Sequence, residues 1–155
     1  MPSGRVHALA TTFTAATVSP ALVILAAQPV NSALAFAAGC MAGLLLTPDL
    51  DVDHRTKSYT VMRRSFGWLT AELWHWFWLP YARLLPHRSP WSHTPILGTI
   101  LRLVYLLFVP MILWGALRLI FNLPQLPALT WHPLWGWAIA GLMLVDTVHI
   151  VMDWL

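Results

Sequence analysis

Three of the chain's five aspartates, Asp49, Asp51 and Asp53, crowd with His54 into the stretch Thr47-Pro48-Asp49-Leu50-Asp51-Val52-Asp53-His54. An apolar run from Ala33 to Leu46 leads directly into it. Carboxylates set against apolar sequence are costly unless they are paired or hold an ion. Other groups of the same chemistry recur along the chain. His7 lies near the start, His87 and His93 precede a later apolar run, and His149 and Asp153 lie within the last one. His149 and Asp153 are four apart, so on a helix they share a face one turn from each other. Asp49 and Asp51, two apart in what reads as an extended segment, are expected to point the same way. Imidazole and carboxylate donors together suit Zn, Mn or Fe, and the lack of thiolates argues against a structural cysteine site. Several carboxylates can hold two divalent ions with one carboxylate bridging, and such ions make a hydroxide nucleophile from a bound water.

The elements that must position these groups are apolar. The chain has 155 residues, 58% of them hydrophobic and only 10% charged, against roughly 25% charged in a soluble domain. The mean hydropathy is +0.65. One domain and an all-α, integral membrane architecture follow. Four spans are expected at about 8–27, 31–47, 95–121 and 131–154, forming a four-helix bundle. The second reaches the lower limit only by including Asn31 and Thr47. The first is rich in Thr and contains Pro20, which should kink it. A signal peptide is the rival reading of that first stretch. Thr94 and Pro95 read as the N-cap and first residue of the third span. Cys40, the one cysteine, reads as a small packing residue.

Between the second and third spans lies a long segment containing Trp68, Trp74, Trp76, Trp78 and Tyr81. A Trp-rich interfacial helix over about 61–85 is expected, with Pro80 stopping or bending it; a helix packed across the spans is the plainer alternative. With four spans, the N-terminus, this segment and the C-terminus share one side. Arg5, Arg55, Lys57, Arg63, Arg64, Arg83 and Arg88 all fall on that side, which the positive-inside rule makes cytoplasmic. The basic residues are thus a topology signal, and no nucleic-acid partner is expected. Deeper in the spans, Arg102 and Asp146 are expected to face each other as a paired charge.

The same count of spans brings His7, Asp49, Asp51, His87, His93, His149 and Asp153 to one membrane face, from four separate segments. Taken singly, each has a plainer reading: an exposed terminal His, a solvated turn, a helix-end pair. Their joint placement favours a metal site.

The ordered motifs resemble a known family. Met1-Pro2-Ser3-Gly4-Arg5-Val6-His7, Pro48-Asp49-Leu50-Asp51, Pro86-His87-Arg88-Ser89 with Ser92-His93, and His149-x-x-x-Asp153 are similar to those of metal-binding membrane proteins common in cyanobacteria. That family resembles in turn the bacterial inner-membrane, metal-dependent hydrolases of the YdjM type. The resemblance covers the whole chain in order. It implies His7, Asp49, Asp51, His87, His93, His149 and Asp153 as metal-site residues. Val52 and Asp53 separate Asp51 from His54 here, so Asp53 and His54 read as a flanking solvated turn.

The sequence therefore predicts a membrane protein holding one or two divalent ions (Zn, Mn or Fe) through His7, Asp49, Asp51, His93, His149 and Asp153. The predicted reaction is hydrolysis of an ester or phosphoester in a lipid-like or phosphorylated substrate at the cytoplasmic face. His87 and Arg88 would stabilise substrate charge or donate a proton. Membrane lipid is the expected partner, and the plasma (inner) or thylakoid membrane the expected location, with both termini cytoplasmic. The alternative function is non-enzymatic: a metal carrier, sensor or assembly factor.

Overall fold

A computed structural model describes residues 4–128 and 130–154. Met1-Pro2-Ser3 of the opening motif and Leu155 at the end of the last apolar stretch lie outside the described residues. Six α-helices and one 3-10 turn make up the regular structure, and no strand occurs among the described residues. The helices are α1 Gly4–Ile24, α2 Val30–Ala42, α3 Lys57–Phe66, α4 Trp68–Leu84, α5 Pro95–Phe121 and α6 Pro133–Trp154, with the 3-10 turn at Pro48–Asp51.

Helix α6 is the hub. It packs against α1, α2 and α5 and touches the 3-10 turn, and its pairing with α2 is the most extensive in the fold. Close approach explains that pairing. A Cβ added at Gly39 of α2 would lie 1.8 Å from the Ala138 carbonyl oxygen, and one at Gly141 of α6 would lie 2.1 Å from that of Phe36. Cys40 is fully buried in the same crossing, its thiol 3.4 Å from the Gly141 carbonyl oxygen, as befits a packing residue. Helix α1 docks through His7, Thr11, Ala15 and Ser19, a four-residue stride that puts small side chains on one face. Two hydroxyls off that face bond back along the helix: Thr12 donates to the Ala8 carbonyl at 2.9 Å and Thr17 to that of Phe13 at 2.8 Å. Part of the Thr content that weakens this stretch as an apolar run is thus accounted for by the packing face and by these bonds. Pro20 lies inside the helix without ending it.

Three helices are long and apolar enough to cross a membrane: α1, α5 and α6. The expected fourth span fails. Helix α2 has 13 residues, about 20 Å of rise against a hydrocarbon core of about 30 Å. The residues after Ala42 continue apolar but form turns, and Pro48, which holds Thr47 extended, then starts the 3-10 turn. The first span runs earlier than expected, Gly4–Ile24, and the last begins two residues later than expected, at Pro133; α5 matches its expected bounds, with Thr94 at the N-cap position.

The single interfacial helix over 61–85 is also corrected. Two helices, α3 and α4, meet at Gly67, whose φ of 92° belongs to the region that favours glycine. Pro80 lies within α4 and does not stop it. Trp78 and Tyr81 are buried and pack on Tyr105 of α5, the first tilted and the second edge-to-face, ring centroids 5.2 Å apart in both pairs. The Tyr105 hydroxyl donates to the Phe77 carbonyl at 2.7 Å. Trp68 and Trp76 are exposed on the other side. One face of this segment therefore packs and the other faces outward.

Replacing Gly39 or Gly141 by alanine should force α2 and α6 apart and destabilise the fold by about 1–3 kcal/mol. Gly115 has open space around its Cβ position. Gly115→Ala should be neutral or stabilise by up to about 1 kcal/mol through helix propensity. Thermal unfolding of the three variants in one detergent checks the contrast.

Candidate metal centre

The centre grows from the 3-10 turn. The Thr47 hydroxyl accepts from the Asp49 amide at 3.4 Å, and Pro48 fixes the entry. A 3-10 turn advances three residues per turn, so residues two apart point about 240° apart. Asp49 and Asp51 therefore do not point the same way, as an extended segment would have required. Asp49 turns toward His149, and Asp51 toward the loop before α5.

Asp51 is 2% exposed and collects donors from that one loop. Its Oδ1 lies 2.7 Å from His87 Nδ1, and its Oδ2 lies 3.3 Å from His93 Nδ1 and accepts the Arg88 amide at 3.0 Å. Arg88 has a φ of 60°, a left-handed conformation at the residue whose amide faces the carboxylate. Burial pushes the Asp51 carboxyl up, but hydrogen bonds from His93, Ser92 and His87 outweigh burial and hold its pKa at about 2. The Ser92 hydroxyl, itself buried, sits 3.1 Å from His93 Nδ1.

On the far side of His93, helices α1 and α6 and the 3-10 turn contribute. His7 Nε2 is 3.1 Å from Asp153 Oδ1; His149 Nε2 is 3.4 Å from Asp49 Oδ1 and 3.6 Å from Asp153 Oδ2. The His7 and His149 rings stack with centroids 4.0 Å apart. Burial raises the Asp49 carboxyl, yet the nearby imidazoles, His149 first and then His7 and His93, leave it below the usual range. Donor atoms fall into three groups, each within 4.8 Å: His7, His149 and Asp153; Asp49, His93 and Asp153; and Asp51, His87 and His93.

These donors fit a divalent ion. Buried His93 Nε2, His149 Nε2 and His7 Nδ1 have no hydrogen-bond partner among the described residues. Such atoms are uncommon in folded proteins, and these three, unlike the other unpartnered atoms at Ser19, Trp78, Tyr81, Arg102 and Trp114, belong to side chains gathered in ligand groups. Two ligands on one tetrahedral ion with bonds of about 2.0–2.1 Å lie about 3.3 Å apart. The distances around His149 match that spacing better than the shorter one of a hydrogen bond. A cavity of about 20 Å³ bordered by His7, Asp49 and His149 is large enough for a water or a single ion. The Asp51–His87 pair, at hydrogen-bond distance, is of a different kind. Asp51 engages His93 through Nδ1 and leaves Nε2 open, which is how a carboxylate orients a ligating imidazole. The structure thus brings all eight expected site residues into one region but divides their tasks.

A second layer ties the centre to the bundle. Arg102 Nη2 donates to Asp146 Oδ2, both side chains 1% exposed, so the expected pairing is present. Thr99 also donates to Asp146 Oδ2, and Arg102 Nη1 donates to the Ser92 carbonyl at 3.2 Å. Gly98 permits this, since a Cβ there would lie 2.3 Å from the Ser92 oxygen. The roles of Ser92, Thr99 and Thr47 escape the sequence reading, because hydroxyls in apolar stretches are common and only their partners mark them. Asp53 and His54 are exposed, as expected of a flanking turn. His132 is remote in role: its Nδ1 accepts the Leu134 amide at 3.2 Å at the start of α6.

The chain belongs to a protein family: the family model described as "Uncharacterized metal-binding protein (DUF2227)" matches residues 2–155. No curated protein and no solved structure matches the chain.

Asp153→Ala and His149→Ala should each abolish tight metal binding, whereas Asp51→Asn should weaken it by about 10–100-fold, the effect of losing an orienting partner. His54→Ala should bind as wild type. Competition against a chromophoric chelator ranks the four; equal loss in Asp51→Asn and Asp153→Ala would contradict the division of tasks.

Proposed function

We propose that the chain is a multi-pass membrane protein whose centre holds two divalent ions and hydrolyses an ester or phosphoester at the cytoplasmic face. One observation carries this reading: Asp153 belongs to two ligand groups, one with His7 and His149 and one with Asp49 and His93, as a bridging carboxylate would. The family's metal-binding description supports the ions. The donor set, without thiolate, favours Zn, Mn or Fe. When bound, such ions polarise a substrate oxygen and lower the pKa of a coordinated water.

The chain's own residues have separable roles. His7, Asp49, His93, His149 and Asp153 would hold the ions, and Asp51 would orient His93. Clefts of about 280 Å³, lined by Arg88, His93 and Asp153, and about 480 Å³, lined by Asp49 and His87, give access from outside. A purely structural metal site is closed. His87, held at Nδ1 by Asp51, has its other nitrogen for exchanging a proton with a substrate in the cleft it lines. Arg88 offers positive charge to a developing anion in the other.

Membrane embedding is supported by the three long apolar helices and by the outward exposure of Val104, Leu107, Phe108, Met111 and Leu119 on α5. Exposed Trp131 and Trp135 near one end of α6 and Trp154 at the other fit two interfacial belts. The basic residues around the centre argue for its cytoplasmic placement. The hydrolytic part of the proposal rests on the resemblance of the motif order to that of the YdjM-type metal-dependent hydrolases.

Protein purified without chelators should carry two ions per chain by elemental analysis, and an Asp49→Ala, His149→Ala double variant none. Metal-loaded protein should hydrolyse p-nitrophenyl esters or phosphoesters. His87→Gln should slow this by about a hundredfold or more at unchanged metal content. Full metal without turnover on either substrate class would favour a carrier or sensor, and metal-free wild type would overturn the proposal.

A further inference from the structure

The cleft of about 480 Å³ beside Asp49 and His87 has walls unlike the rest of this apolar chain. Arg5, Arg55 and Lys57 line it together with the hydroxyl residues Thr56 and Thr60. Asp49 is the only carboxylate among its lining residues, and that group faces His149. The volume is that of a small-molecule site, roughly 300–1,000 Å³.

The three cations differ in their partners. Arg55 Nη2 donates to Glu72 Oε1 at 2.8 Å, and its guanidinium lies 5.1 Å from the Tyr59 ring centroid, which fixes its position. Arg5 and Lys57 have no carboxylate partner among the described residues. Lys57 also opens α3, where the helix dipole disfavours a cation. No acidic residue in the first turn offsets it, and the Thr56 side chain, bonded to the Ser58 hydroxyl, caps no amide. The cleft thus gathers two cations without a carboxylate partner among the described residues, a third held by Glu72, and hydroxyl groups at one place, adjoining the metal-ligand set. Its donors exceed what one carboxylate, with two oxygens, can accept.

We propose that this cleft binds the phosphate group of an anionic substrate, with Arg5 and Lys57 as its main charge contacts and Arg55 as a pre-positioned third. The assignment names the substrate class of the metal centre and rests on that reading for its link to catalysis. A phosphate has the oxygens to engage several cations and hydroxyls together. It would sit beside His87 and Asp49, within the region where the ions would act. A soluble phosphate compound and a phospholipid headgroup share this chemistry.

The test uses the full chain, purified in detergent with its metal content measured. Calorimetric titration with inorganic phosphate and with short-chain phosphatidic acid should give saturable binding to at least one, and short-chain phosphatidylcholine should bind more weakly. Binding of inorganic phosphate assigns a soluble source; binding confined to phosphatidic acid assigns a headgroup. An Arg5→Gln, Lys57→Gln double variant should bind roughly tenfold or more weakly while keeping its metal and its thermal midpoint. An Arg5→Lys, Lys57→Arg variant should retain binding. No binding of either probe, or wild-type affinity in the Gln variant, overturns the phosphate site even if the metal content is full. If the protein carries no metal, the metal reading fails, and the same titrations on the metal-free chain still decide the cleft, because its cations belong to the chain.

Discussion

An ionised carboxylate withdrawn from solvent has to be met by donors, or its desolvation costs several kcal/mol. Asp51 is in that position, and the loop before α5 meets it with two imidazoles and a backbone amide. This requirement fixes the loop against the 3-10 turn. It also sets the tautomer and direction of His93, which then offers its outer nitrogen to the groups carried by α1 and α6. Two aspartates separated by one leucine thereby serve different purposes, because a three-residue turn sends them to different sides.

The same rule operates throughout an apolar scaffold that has little water to satisfy polar groups. Arg102 and Asp146 satisfy each other, Thr99 adds a donor, and the spare guanidinium nitrogen reaches the Ser92 carbonyl. The pair therefore anchors the His93 loop as well as joining α5 to α6. Close backbone approach at Gly39, Gly98 and Gly141 makes these contacts reachable. Among the described residues, buried atoms of Ser19, Trp78, Tyr81, Arg102 and Trp114 also lack partners, but only the unpartnered ring nitrogens of His7, His93 and His149 belong to a cluster of ligand-type side chains, beside the cations Arg5 and Lys57 that have no carboxylate partner there. Both sets lie on the same region of the molecule. A centre of positive ions and a basic cleft beside it would act on one anionic ligand with like purpose.

Much of the arrangement was legible from local rules. The four-residue step from His149 to Asp153 survives because helix periodicity is a property of the backbone alone. The convergence of His7, Asp49, Asp51, His87, His93, His149 and Asp153 was expected from a count of four spans, and it holds with three helices of spanning length because the shorter α2 still packs against α1 and α6. The count of four spans was not sound, because apolar length measures composition and does not show that the helix ends at Ala42 while the apolar run goes on in turns. The break at Gly67 was likewise hidden inside a stretch rich in helix-compatible residues.

By itself the sequence determined the helical class, the apolar character, and which residue types gather at one end of the bundle. Only the tertiary structure decided which carboxylate orients an imidazole and which one has the spacing of a ligand. It also showed that Arg5, Arg55 and Lys57, which read in sequence as a topology signal, line one cleft next to that site. The physical reason is distance. A hydrogen bond and a shared ion differ by a few tenths of an ångström between groups far apart in the chain, and no local rule carries that information.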